Sequence, residues 1–372
     1  MPVNPRENFL KTLKGEPHDF VPIELYSFWH PDRAAAAAVA DPLKREIGER
    51  IFDRHVFRSI LPSYISRYFV TPPQRVRETY QDLPNGHQRI HGVIDTPKGE
   101  LTYLKETAPE SETVWTWKYP VENADDIEKI ASVPWELPEG ILPPDGSERV
   151  GDFHTRGICE TGVSSPFVCL AEAMGFERFL MLTATDLDLV TQLTQVCLER
   201  ALACLEVLLS KPGVDLVWVG ASEWVTPPMG SPALYDALVQ EQERAIIDYV
   251  HAHSDAVVQV HCHGNVGTVL EKTIARGADY TEPVEPPPDG DITLADAKRL
   301  ADGRITLGGN IETRILCNET EDVVEAATRA AFEGDKNRHV LVTTAGCSPT
   351  LAEREYKNYM RLIDVWEELA AL

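Results

Sequence analysis

The stretch VVQVHCHGNVGTVLEKTIARGADYTEPVE, Val257 to Glu285, decides the fold. Two short apolar runs, VVQVHCHG and ADYTEPVE, are bounded by turn residues and separated by a helical pattern. Strand, helix, strand in that order is the unit of a parallel sheet with crossover helices. The unit recurs on both sides: TRGICETG and DLVWVGASE precede it, RITLGGNI and HVLVTTAGC follow it, and SPALYDALVQEQERAIIDYVHAH is one of the helical patterns between them. With VPIELYSFW (Val21 to Trp29) and a weaker RHVFRSILP (Arg54 to Pro62), about eight strands are expected. That number favours an α/β fold of one (β/α)8 TIM barrel spanning residues 1–372, with a doubly wound sheet as the alternative. Between residues 63 and 147 the chain is polar and aromatic, with hairpin-like TPKGELTYL and ETVWTWKYPV, and reads as an N-terminal insertion or lid.

Composition sets the outer limits. A chain of 372 residues with 43% hydrophobic and 25% charged residues can bury a large core within one barrel. MPVNPRENFLKTLKGEPHDF has no apolar core of signal-peptide length, and no run approaches about 18 uncharged apolar residues, so a cytoplasmic protein without a membrane span is expected. Seven cysteines scattered from Cys159 to Cys347 without a CxxC pair point to reduced thiols. The formal charge of -24 disfavours nucleic acid and anionic membrane, which both need a basic footprint.

Side chains alternate along a strand, so His261 and His263 share a face with Val257 and Gln259, while Cys262 points the other way. The imidazoles start roughly 7 Å apart at Cα, close enough for both to reach one ion at about 2 Å from each nitrogen. Gly264 then lets the chain turn. A lone His-x-His pair is more often a pair of hydrogen-bonded core residues than a pair of ligands. What raises it is the company at the other strand ends: Glu223 after DLVWVGAS, Glu282 and Glu285 in DYTEPVE, Asn310 after RITLGG, and Cys347 past the last strand. In a barrel these ends converge on one face, where active sites lie. Two imidazoles, one thiolate and one carboxylate make a four-coordinate Zn2+ set of His261, His263, Cys347 and Glu223. Glu223 reads as the fourth ligand, as a group orienting a ligand, or as a general base. Glu285, Asn310, Tyr26 and Trp29 are the candidate substrate contacts, the aromatics together with Phe28 having barrel core as their other reading. His251 and His253 end a helical pattern and are expected to complement its dipole.

GFERFLMLTATDLDLVTQLT, DLVWVGASEWVTPPMGSPALYDALV, the Val257–Glu285 stretch with the PPPDGDITLADAKR that follows it, ITLGGNIETRIL and the opening RENFLKTLKGEPHDFVPIE together resemble the uroporphyrinogen decarboxylase superfamily. The resemblance covers most of the chain, is weakest between Arg54 and Glu148, and is most specific at Glu223, HCHGNVG and PVEPPPDGD. It implies a (β/α)8 barrel. Decarboxylases of this superfamily carry an arginine-rich loop after the first strand, where this chain has only Arg33 nearby. The zinc methyltransferases of corrinoid-dependent methyl transfer are the other branch, with His-x-Cys-Gly at the fifth strand and a cysteine after the eighth. Onto those positions fall His261, His263 and Cys347, with His263 standing in place of a thiolate. The resemblance thus implies a zinc-dependent methyltransferase or demethylase working between a small methylated compound (methoxy, thio or amine) and a corrinoid protein, with a homodimer as an option. A cofactor-free decarboxylase and a non-catalytic metal-binding barrel are the alternatives.

Overall fold

The computed structural model describes residues 4–61, 75–109, 111–144, 151–348 and 350–372. Along them run β1 (Ile23–Glu24), β2 (Phe57–Ile60), β3 (Val76–Asp82), β4 (Gln88–Thr96), β5 (Gly99–Ala108), β6 (Ser111–Lys118), β7 (Gly157–Ser164), β8 (Leu216–Gly220), β9 (Val257–His261), β10 (Tyr280–Glu282), β11 (Thr306–Gly308) and β12 (His339–Val342). Eight form one parallel sheet in the order β1-β12-β11-β10-β9-β8-β7-β2, and each of the eight apolar runs above overlaps one of them. From β7 onward the strands alternate with helices and pair with their sequence neighbours, which rules out the doubly wound order.

Alternation along the strands separates two cores. Ile158, Leu216, Val257, Tyr280 and Val340, near the amino ends of their strands, share an interior cluster with Phe9 and Leu13 of the helix Pro5–Lys14, which floors the sheet. Val217, Val219, Val258, Val260 and Leu341 belong to a cluster with the helix residues Ile246, Ile247, Leu270 and Ile363. Cys262 falls in this outer cluster, opposite in sense to His261.

The sheet curls until its two edge strands meet. Among the described residues no backbone ladder joins β1 to β2; side chains make the seam. The Leu25 amide donates to His55 Nε2 at 3.0 Å, and Arg58 on β2 pairs with Glu24 on β1. The closed ladder expected of a complete barrel is missing here because β1 is two residues long. Pro22 precedes it without an N–H, and Ser27 (φ 75°) ends the extended run that the sequence suggested up to Trp29. On its other side β1 is held firmly: it pairs with β12, the Val21 amide donates to the Ala370 carbonyl at 2.9 Å, and Trp366 Nε1 donates to the Val21 carbonyl at 2.8 Å.

His55 accepts at the seam only while Nε2 is unprotonated, and burial pushes its pKa down to about 3, helped by the charge of Arg156. An unfolded chain takes up a proton near the ordinary value of 6.5, whereas the folded imidazole does not, so protons favour unfolding as the pH falls below 6.5. Urea unfolding should therefore show His55 costing about 2 kcal/mol of stability between pH 6.5 and roughly pH 5. A His55→Gln variant should lack that slope. Parallel pH profiles in the two proteins would remove His55 from the seam.

β3 to β6 form a separate antiparallel sheet inside the interval 63–147; residues 62–74 and 145–150 lie outside the described residues. Ile94 and Leu101 from this sheet share a hydrophobic cluster with Phe167 and Leu170 of the helix Pro166–Met174. No helix among the described residues is long and apolar enough to cross a membrane.

Candidate active site at the carboxyl ends of the strands

Register brings the site together. Gly220 of β8, His261 of β9 and Glu282 of β10 pair at one level, the carboxyl ends of their strands. His261 Nδ1 lies 2.6 Å from Glu282 Oε1, its ring beside Trp218 at 5.3 Å and edge-on to His263 at 4.7 Å. His263 has left the strand and is the more exposed of the two; its Nδ1 lies 3.3 Å from Glu285 Oε1. Glu285 also accepts from the Gly264 amide at 2.6 Å, where φ of +78° makes the turn one that glycine adopts freely. Both imidazoles are thus held at Nδ1 by a buried carboxylate, and neither Nε2 has a hydrogen-bond partner among the described residues.

Glu223 follows β8 in the short helical turn Ser222–Val225. Its Oε2 is buried without a hydrogen-bond partner. Burial raises the Glu223 pKa, against the opposing pull of His261 and His263. Burial also pulls His261 down, but the charge and hydrogen bond of Glu282 outweigh it and leave the imidazole above its ordinary value. For Glu282 the balance runs the other way: burial would raise it, and His261 and Arg58 hold it below the usual carboxylate range.

Behind the histidines lies a polar network that the sequence reading did not find. Arg58 is buried and grips Glu24 with two nitrogens (Nε–Oε1 2.5 Å, Nη2–Oε2 2.7 Å) and Glu160 and Gln259 with Nη1 (2.9 and 3.0 Å). Gln259 Nε2 donates to Glu282 Oε1 at 2.5 Å, which links Arg58 to His261 through two side chains. Burial pushes Glu24 up to about 7 even beside Arg58. The available signal was a charge within each short apolar run: Glu24 in VPIEL, Arg58 in HVFRSI and Glu160 in GICETG. The arginine singled out from sequence, Arg33, lies on the surface instead, 61% exposed and paired with Asp53.

The other expected residues divide. Tyr26 packs on Trp29 at 5.0 Å and points its hydroxyl at Glu282, 3.4 Å away. Trp29 Nε1 is buried without a partner. Asn310 is buried, its Oδ1 accepting from Thr344 Oγ1 at 3.0 Å while Nδ2 has no partner. Cys347 is not brought to the histidines. Its amide donates to Ser27 Oγ at 3.2 Å, and its thiol lies beside Lys44 and Ser27. A Cβ on Gly346 would run into Ser27 Oγ, so this glycine lets the loop close onto the end of β1 and carries Cys347 with it. Among the described residues no three His, Cys, Asp or Glu side chains stand as a ready metal cluster. His261, His263 and Glu223 nevertheless fit a zinc ion by donor chemistry: two oriented imidazoles with free Nε2 atoms beside an unpartnered buried carboxylate oxygen. Cys347 does not fit as it lies. His251 and His253 close the helix Glu241–His253, where His251 Nε2 meets Asp279 at 2.8 Å.

A cavity of about 540 Å3 opens beside Glu223 and His263, walled by Phe176, Trp224, Met229 and the Pro227–Pro228 pair, with Asp289 at its edge. Its lining contains no lysine or arginine among the described residues.

An eight-stranded curled parallel sheet with titratable groups and a cavity at its carboxyl ends defines the class: an α/β protein built like a barrel enzyme. The family model described as uroporphyrinogen decarboxylase (URO-D) matches residues 159–368, and the chain belongs to that family. Its fold is similar to that of a methyltransferase from Methanosarcina mazei, with a TM-score of 0.60 and 14% identity over 98% of this chain and 99% of that one. A B12-independent methionine synthase from Shewanella sp. W3-18-1, solved in complex with selenomethionine, aligns over 94% of this chain and 95% of its own with 10% identity and a TM-score of 0.40. No curated protein sequence matches the chain.

Proposed function

We propose that this protein is a methyltransferase or demethylase that moves a methyl group between a small methylated compound and a corrinoid carried by a separate protein, with zinc held by His261, His263 and Glu223. One observation carries the reading: paired imidazoles, each buttressed at Nδ1 by a buried carboxylate, lie beside the unpartnered oxygen of Glu223, and His263 and Glu223 line a largely apolar cavity. Bound there, zinc would supply Lewis acidity to the heteroatom that gains or loses the methyl group. Glu282 and Glu285 hold the ring tautomers, so that Nε2 of each histidine stays a lone-pair donor. Phe176, Trp224 and Met229 give the space beside the reacting groups an apolar wall. A cytoplasmic location suits the reduced thiols expected of this chain.

The lining also speaks against a porphyrinogen as substrate. A polyanion would meet Glu223 and Asp289 in a lining that holds no lysine or arginine among the described residues, and the nearby Arg314 is already paired with Asp289 and Glu312. The test is an assay of a panel of methylated compounds with a corrinoid protein, followed by the cobalt absorption change, alongside carbon dioxide release from uroporphyrinogen. Methyl transfer with at least one compound and no decarboxylation is the expected result. Robust decarboxylation by metal-free protein would overturn the proposal. Within that assay Glu223→Gln should lower turnover by about tenfold to a hundredfold, the scale of losing metal support. Wild-type turnover in the variant would remove Glu223 from the site.

A further inference from the structure

The cavity beside His263 has an uneven chemistry that the reaction alone does not require. Trp224 and Phe176 meet edge to face, their centroids 5.8 Å apart and their planes at 79°, so they form an aromatic corner. Two carboxylates, Glu223 and Asp289, line the same space. Arg314 pairs with Asp289 (2.6 Å) and with Glu312 but does not line the cavity. Close by, Glu285 and Glu282 add further buried negative charge. Aromatic faces set at an angle, together with carboxylates in a lining that holds no lysine or arginine among the described residues, are the means by which proteins hold alkylammonium groups.

We infer that this cavity takes the ammonium head of a cationic substrate, seated between the Trp224–Phe176 corner and Asp289, with the heteroatom that exchanges the methyl group reaching toward His263 and Glu223. The inference rests on the methyl-transfer reading for the role of the bound molecule, but the head-group site follows from the cavity itself. It narrows the methylated compounds to small amino alcohols, amino ethers or amino thiols whose nitrogen carries a permanent or protonated charge. It also separates this site from one built for neutral methoxyarenes, which would gain nothing from Asp289.

Titration calorimetry on the purified full chain tests it with choline against dimethylbutanol, in which an uncharged tert-butyl group replaces trimethylammonium. Choline should bind at least about tenfold more tightly, the scale of a desolvated cation–π contact. Asp289→Asn should shrink that preference several-fold while leaving dimethylbutanol binding nearly unchanged, and Trp224→Leu should shrink it several-fold by weakening choline more than dimethylbutanol. Equal binding of the two compounds, no choline binding, or an unchanged preference in both variants would overturn the inference. A protein that prefers choline as expected but transfers no methyl group from any compound supports the cavity assignment and overturns the reaction instead.

Discussion

Arg58→Ala protein is expected to unfold with about 3–5 kcal/mol less free energy than the parent at neutral pH, the cost of stranding buried charges. Arg58 is the only cation contacting Glu24 and Glu160 among the described residues, and all three are buried. Removing it leaves two buried carboxylates with no cation in contact among the described residues and neutral dipoles such as Gln259 and the Tyr26 and Tyr280 hydroxyls for neighbours. Each would then bind a proton more readily, beginning with Glu24, whose carboxyl burial already pushes up to about 7 beside the arginine. The deficit should therefore narrow as the pH falls from neutral toward about 5, because protonation relieves the stranded charge in the folded variant. Adding Glu24→Gln to Arg58→Ala should recover part of the loss at neutral pH. Urea unfolding of the single and double variants checks both points. A loss below about 1 kcal/mol would mean that water reaches the network and that Arg58 is not the interior keystone.

His261→Ala should abolish both metal retention and activity. A Lewis acid at such a site is worth several kcal/mol of barrier, so its loss should slow turnover by on the order of a thousandfold. Elemental analysis should find about one zinc per parent chain and little in His261→Ala or His263→Ala. Cys262→Ala should keep its metal, because Cys262 packs in the outer core. Cys347→Ser should also keep most of it, since the thiol lies with Lys44 and Ser27 in the folded protein. Chelation of the parent should mimic His261→Ala. Full metal content in His261→Ala would sink the ligand set, and loss of metal in Cys347→Ser would show that the loop after β12 delivers its thiol to the histidines.

Much of the parallel sheet was legible because short apolar runs between turns are a local signal, and each such run overlaps a strand. The placement of His261, Cys262 and Glu223 was legible for a related reason: alternation fixes a side chain's face, and strand order fixes which ends converge. The Arg58 network was not, because its members lie on β1, β2, β7 and β9, and which charge meets which depends on register across the closed interior. β3 was missed since VRETYQD is almost wholly exposed and carries no apolar stripe. Cys347 followed from its position after the last strand, but the direction of its side chain is set by the contact of Gly346 with Ser27, hundreds of residues away. Arg33 drew attention by closeness in sequence, whereas the cation that matters sits one strand further on.

The way β1 is held has a consequence for the order in which a ribosome can finish this protein. β1 emerges first, yet its ladder partner β12 and the Trp366 and Ala370 contacts that clamp it are made last. At a synthesis rate of ~5–20 residues per second, the about 320 residues separating β1 from β12 impose a wait of roughly 15–60 s. Throughout that interval β1, with Glu24 on it, has no partner strand, and the apolar edge of the growing sheet stays open to other chains. Sealing of the sheet therefore waits for the helix Glu353–Leu369, and a message truncated before Trp366 would produce a sheet without the clamp on β1.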